Sequence, residues 1–125
     1  MGLNDKKELE KFIEESENKR IRNKWIDDEN MKVYVRKGYR LINKKMVQTL
    51  DIASIAVDED KRRMGFCSKF LEEAHELNPW DATFVECVLN QNLACHLLRN
   101  GWNMKEEENS FYKLKKEIKE FSFLC

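Results

Sequence analysis

This chain is short of proline, with one, and of glycine, with four, in 125 residues. No repeat or low-complexity tract is visible. At 42% hydrophobic residues the composition is too apolar and too patterned for a disordered chain. No apolar run approaches the roughly 20 residues that a membrane helix needs, so no membrane partner is expected. Net charge is also lacking. Lysine plus arginine and aspartate plus glutamate stand at 23 each, which leaves no global electrostatic drive toward nucleic acid or anionic lipid. A local patch stays open, but nucleic acid is not an expected partner. The four cysteines, Cys67, Cys87, Cys95 and Cys125, form no CxxC pair and no zinc-like spacing with the two histidines. They read as reduced thiols, with no metal. The N-terminus is charged from Asp5 onward and shows no signal peptide, so the expected compartment is cytoplasmic.

What is present suits one domain over 1–125. An N-terminal helix and connector fill 1–30, a core 31–116 and a tail 117–125. Asn4 or Asp5 caps a helix reaching about Asn18, with Leu9, Phe12 and Ile13 as its apolar stripe. Trp25 follows in a polar connector. Residues 31–42 and 46–57 read as strands, and "NKK" at 43–45 joins them in an antiparallel hairpin. Gly38 marks a bulge or bend in the first of them. After the loop "DEDKRRMG", a helix carries Phe66, Phe70, Leu71, Ala74 and Leu77 on one face and stops at Asn78-Pro79. Residues 82–89 form the next strand. "NQNLACHLLRNG" is a helix with Asn90 as N-cap and Gly101 as C-cap. "WNMKE" and "SFYKLKK" form a closing hairpin. The strand–helix–strand unit at the centre pairs its strands in parallel, and antiparallel hairpins flank it. The fold class is therefore α/β, with a mixed, mostly antiparallel central sheet flanked by helices.

The loop before the central helix raises the first functional question. Arg62 and Arg63 precede Gly65, and a helix starts at once. The first turn of a helix leaves backbone N–H groups without helical partners, and the helix dipole attracts an anion there. Glycine lets a ligand approach the backbone closely. Each charge-assisted hydrogen bond is worth roughly 1.5–3 kcal/mol, enough for three or four to hold a pyrophosphate. One glycine is equally compatible with an ordinary basic loop, and the segment is neither a Walker loop nor a GxGxxG fingerprint.

The stretch "LDIASIAVDEDKRRMGFCSKFLEEA" resembles the acetyl-CoA motif of the GCN5-related N-acetyltransferases: a strand, an acidic turn, then Arg/Gln-x-x-Gly-x-Gly/Ala and a helix. Arg62, Gly65 and Cys67 fall on its signature positions. "VLNQNLACHLLRNGW" resembles the family's next motif, with Asn90 eleven residues before Gly101-Trp102. The resemblance covers about residues 31–116, and the whole also looks somewhat like small acetyltransferase-like phage proteins. It implies an acyl-CoA N-acyltransferase fold and acetyl transfer from acetyl-CoA to an amine by direct attack on the thioester. It also implies that the pantetheine arm pairs with Ile55, Ala56 and Val57 and that Asn90 contacts the cofactor. The pyrophosphate would rest on the amides of Arg63, Met64, Gly65, Phe66, Cys67 and Ser68, beside Arg62. Two positions depart from the pattern. Cys67 replaces a glycine or alanine, and a helix N-terminus would depress its pKa. Leu97 stands seven residues after Asn90, where the family often has the tyrosine that protonates the leaving thiolate. Leucine carries no proton to give.

Acetyl transfer needs a neutral amine, so a base must take a proton. Glu86 is the first candidate, on a strand face shared with Phe84 and Val88, where apolar neighbours would raise its pKa. Asp51 is the second, on the same nominal face as Ile55 unless a bulge intervenes. Ser54 is placed to hydrogen-bond the thioester or a water. Tyr112 in the closing hairpin is a candidate for the lost phenol, and His96 a lesser one. Trp25, Tyr34, Tyr39 and Trp102 read as core or rim. The amine acceptor is open, whether small molecule or protein. The apolar tail from Phe121 to Leu124 is a candidate homodimer contact. The alternative reading is an inactive module of the same fold that still binds CoA, and Leu97 favours it.

Overall fold

The computed structural model describes residues 3–18, 21–27, 31–57, 65–86, 88, 91–105 and 109–115. The tail from Phe121 to Leu124 lies outside them. The element order is α1 (Leu3–Glu17), β1 (Asn23–Asp27), β2 (Met31–Ile42), β3 (Lys45–Val57), α2 (Phe66–Leu77), β4 (Ala82–Val85), α3 (Gln91–Arg99), β5 (Asn103–Lys105) and β6 (Ser110–Leu114). Six strands form one sheet in the order β1-β2-β3-β4-β6-β5. Only β3 and β4 run parallel, and every other pair is antiparallel. The mixed sheet flanked by helices is as expected from the sequence.

Hydrophobic period explains each element. In α1, Leu9, Phe12 and Ile13 recur at helical spacing and are buried. In β2, Met31, Val33 and Val35 alternate into the core while Tyr34, Arg36, Gly38 and Arg40 face the other way. The β2–β3 turn holds Asn43 and Lys44 both at positive φ, 51° and 67°, the twist that a two-residue hairpin loop requires. In β4 all four residues are buried, which suits a strand in mid-sheet with strands on both sides. Helix α2 buries Phe70, Leu71 and Ala74 and ends where Asn78 turns extended before Pro79. Among the described residues no helix is long and apolar enough to cross a membrane.

The main core joins Leu9 and Phe12 of α1, Phe70 and Leu71 of α2 and Leu97 of α3 to Val35, Leu50, Ile52, Val85 and Phe111 of the sheet. The helices therefore bury their apolar stripes on one sheet face. The apolar cluster on the opposite face consists of strand residues alone: Ile42, Ala82 and Phe84, with Val47, Tyr112 and Leu114 against them.

Four expectations are corrected. The connector around Trp25 is an edge strand, β1, in register with β2 from Asn23↔Arg36 to Asp27↔Lys32. It buries only Ile26, too little apolar signal to read as a strand. Gly38 sits regularly in the ladder opposite Thr49. The bulge lies in β3 instead, where pairing jumps from Tyr34↔Ser54 to Val35↔Ile52 and passes over Ala53. That extra residue puts Asp51 and Ile55 on opposite faces, with Ile55 packed on the main core. Lastly, β4 ends at Val85, and Val88 packs in the main core rather than beside Phe84.

A buried polar network ties α2 to β4. Asn78 Nδ2 donates to Ala82 O at 2.7 Å and to Thr83 Oγ1 at 2.8 Å, and its Oδ1 accepts from Trp80 N at 2.8 Å. His75 Nδ1 pairs with the same Thr83 hydroxyl at 2.8 Å. Burial, with the Lys115 and Lys113 charges added, pushes the His75 pKa down from 6.5 to about 4. Unfolding restores the ordinary value, so the unfolded chain binds the extra proton more readily. The neutral ring's contribution is complete above pH 6.5 and is lost as pH falls through about 4. In urea denaturation between about pH 7 and pH 4.5, His75→Gln is expected to lose less stability than the parent, by of order 1 kcal/mol after discounting for solvent screening. Parallel curves for the two proteins would remove His75 from the acid response.

Candidate active site

Strands β3 and β4 pair only from Thr49↔Ala82 to Ile52↔Val85. The last link is Glu86 N donating to Ile52 O at 3.0 Å. Beyond it the strands part. β3 continues to Val57 against β2, while Val88 N donates across to Asn109 O at 2.7 Å, toward β6. Among the described residues no strand pairs with the inner edge of β3 over 53–57. Along that edge Ile55 points into the main core, and Ser54 and Ala56 are exposed on the helix-free face.

The chain enters α2 through Gly65, at φ 82° and ψ 9°. This left-handed geometry favours glycine, and among the described residues a Cβ there would meet nothing within 4 Å. Gly65 O accepts from Lys69 N at 3.0 Å and from Ser68 Oγ at 3.3 Å. The amides of Phe66, Cys67 and Ser68 belong to the first turn, where helical acceptors are lacking. Arg62, Arg63, Met64, Asn90 and the side chain of Val57 lie outside the described residues. The expectation for Cys67 is overturned. Its side chain packs on the main core, and burial pushes the thiol pKa up from 9.0 to about 11.

On the helix-free face, four charges form a closed ring. Arg40 Nη2 lies 3.1 Å from Asp51 Oδ2 and 2.5 Å from Glu86 Oε1. Arg36 Nη2 pairs with the same Glu86 oxygen and stands 3.5 Å from Asp51 Oδ2. Each arginine thus touches both carboxylates. Asp51, 5% exposed, is the innermost member. Thr49 Oγ1 donates to its Oδ1 at 2.6 Å. Gly38 makes the room: a Cβ there would stand 2.6 Å from Asp51 Oδ2 and 3.2 Å from Thr49 Oγ1. Arg40 also lies over the Phe84 ring, 3.9 Å from its centroid. Burial alone would lower the Arg40 pKa, but hydrogen bonds and charge from Asp51 and Glu86 outweigh it and hold the guanidinium above its ordinary value.

Glu86 and Asp51 are thus brought together, with guanidiniums as neighbours where apolar side chains were expected around Glu86. Arg36, Arg40 and Thr49 were not singled out in the sequence, and Gly38 was read only as a bulge or bend. Their signal was the alternation "RKGYR", which puts two arginines on one strand face with a gap between them. Ser54 is exposed on the same face, paired with Tyr34 across the ladder. Tyr112 shares a row with Phe84 and Asp51 and packs on the strand-built cluster. His96 lies near solvent, 3.7 Å from Glu72. Leu97 is 1% exposed and fills the main core.

No family model matches the chain, and no curated protein matches it. Solved structures do. The AtaT toxin complexed with acetyl-methionyl-tRNAfMet superposes with a TM-score of 0.58 at 16% identity, covering 89% of this chain and 80% of that one. A KacTA–DNA complex gives 0.57 at 14%, covering 95% and 86%. A mutant AtaT bound to the C-terminus of the antitoxin AtaR and acetyl-CoA gives 0.55 at 16%, covering 90% and 79%. The chain has the GCN5-related N-acetyltransferase fold. At these identities the likeness is one of fold. Against a further structure of the AtaT mutant toxin bound to the C-terminus of the antitoxin AtaR, the chain spans 64% of the neighbour's length. In this fold the parted strands and the Gly65 turn of the chain lie in strand–turn–helix order, with the charged ring beside the last β3–β4 bond.

Two substitutions test this geometry. Gly38→Ala drives a methyl against Asp51, so chemical denaturation should show a loss of about 1–3 kcal/mol. An unchanged midpoint would mean that Asp51 moves freely. Leu97→Tyr should lose about 1–3 kcal/mol as well, since the core around it is filled. Parent-like stability would show that position 97 has access to open space.

Proposed function

We propose that this protein is an acetyl-CoA-dependent N-acetyltransferase. Support comes above all from the parting of β3 and β4 immediately after Ile52 and Glu86, next to a helix that opens through a left-handed glycine. The fold neighbours include one bound to acetyl-CoA and one complexed with acetyl-methionyl-tRNAfMet. Acetyl-CoA, when bound, would supply an acetyl thioester.

The open edge of β3 at Ile55, Ala56 and Val57 presents backbone groups that can pair with an extended amide chain, as in an added strand. The turn at Gly65 suits a pyrophosphate, because a ligand approaching the first-turn amides of Phe66, Cys67 and Ser68 meets no side chain at 65. Arg62, Arg63 and Met64 precede the turn in sequence, and the family resemblance implies a cofactor contact for Asn90. Glu86, at the point where the strands part, takes a proton from the acceptor amine, directly or through water. Ser54, exposed beside the open edge, positions that water. Asp51 has both oxygens engaged, so its part is to hold Arg40 and through it Glu86. Tyr112, in the row of Asp51 and Phe84 on this face, is the proton donor of this reading.

A second reading is favoured by Leu97. Its side chain fills the core where the fold's usual tyrosine would stand, so a CoA-binding module without turnover fits that position.

Calorimetric titration with acetyl-CoA separates these readings from an empty fold. Binding at about micromolar Kd is expected, with Gly65→Val weakening it at least tenfold. Equal affinity in the variant would remove the turn as the phosphate seat. Given an acceptor, Glu86→Gln should lower kcat by roughly 10²–10⁴ with little change in acetyl-CoA affinity. Full activity in that variant would assign the proton to another group.

A further inference from the structure

The ring of charges has a closed half and an open half. Asp51 and Arg40 are the closed half, fixed by the Thr49 hydroxyl, by the space at Gly38 and by the Phe84 ring. Arg36 and Glu86 are the open half: Arg36 is the most exposed member at 37% and Glu86 is 23% exposed, while Arg40, at 21%, is held by Asp51 and the Phe84 ring. The ring is electroneutral, two guanidiniums against two carboxylates. A purely cationic ligand coming to Glu86 meets the charges of both arginines, so the ring offers no surplus negative field to a polyamine or a basic peptide. A ligand with one charge of each sign is in a different position. Its ammonium takes Glu86, and its carboxylate takes the guanidinium of Arg36 released by that exchange. Every partly buried charge then stays paired. A guanidinium also matches a carboxylate with two parallel hydrogen bonds.

The next row of the same face carries an aromatic platform. Trp25 and Tyr34 pack with centroids 5.0 Å apart and their rings tilted by 41°, and Trp25 is 55% exposed. Tyr34 lies two residues before Arg36 in β2, about 7 Å along the strand. Ser54, at the open edge of β3, is opposite Tyr34.

We propose that Arg36 and Glu86 form a binding site for a zwitterionic amine, an α-amino acid whose large apolar side chain lies on Trp25 and Tyr34. The site rests on the N-acetyltransferase reading only in making that amino acid the acceptor. The recognition itself needs no acetyl-CoA.

The test is titration of the purified protein, without CoA, by calorimetry or NMR. The probes are L-phenylalanine, L-phenylalaninamide without the anion, 3-phenylpropionate without the ammonium, and spermidine with cations alone. L-phenylalanine should bind at least about tenfold tighter than each of the other three. Arg36→Gln and Glu86→Gln should each weaken it by a similar factor, and Arg36→Lys should fall between, since an ammonium lacks the guanidinium fork. Trp25→Ala, at an exposed ring outside the ion pairs, should weaken L-phenylalanine and leave L-alanine unchanged. Equal binding of the amide, a preference for spermidine, or no binding of L-phenylalanine below about 10 mM would each overturn the proposal. A separate acetyl-CoA titration keeps the two readings apart. Loss of acetyl-CoA binding sinks the transferase and leaves the amino-acid result standing, and the reverse outcome does the opposite.

Discussion

Strand β4 is the constraint on which the rest depends. It has four residues, all buried, and it alone joins the antiparallel β1-β2-β3 half of the sheet to the β6-β5 half. A longer β4 parallel to β3 would close the sheet. Because pairing stops at Val85, no described strand pairs with the edge of β3 beyond Ile52, and Val88 bonds toward β6. The same parallel step requires a crossover, and α2 supplies it. The opening and the helix N-terminus are therefore two consequences of one short strand. The Asn78, Thr83 and His75 network anchors that strand at its start, where α2 ends.

Electrostatics adds a second layer on the helix-free face. A carboxylate as deep as Asp51 is tolerable only when paired and hydrogen-bonded. Thr49, Arg40 and Arg36 meet that need, and Gly38 leaves the volume for it. The surplus bonding capacity of the two arginines then reaches Glu86. So Glu86 stands at the edge of the opening in an orientation that two charges on β2 determine. Among the described residues no helix stripe covers this face, and Arg36, Glu86, Trp25 and Ser54 are accessible there.

Much of the fold was legible in the residues. The helical stripe Leu9, Phe12 and Ile13, the Asn-Pro stop at 78–79 and the turn at 43–45 locate elements through local chemistry alone. Gly65 was legible as a special position, and its left-handed φ gives the reason. Less legible was β1, since one buried side chain in five residues carries almost no period. The bulge at Ala53 was invisible because nothing in "DIASIAV" distinguishes a skipped residue from a paired one. That one residue reversed the facing of Ile55 relative to Asp51. Glu86 was found, but its arginine partners were not, because they lie 46 and 50 positions away in the chain.

By itself, then, the sequence determined which segments other than β1 are helix and strand, that β3 and β4 run parallel around α2, and where a glycine opens a helix. Those depend on period, caps and turn residues, which act over a few positions. Tertiary structure alone decided where β4 stops, which face Ile55 takes, that Cys67 lies against the core, and that Arg36, Arg40, Asp51 and Glu86 close into a ring. Those depend on register and on charges from three separate segments meeting in a partly buried place, and no local pattern encodes such a meeting.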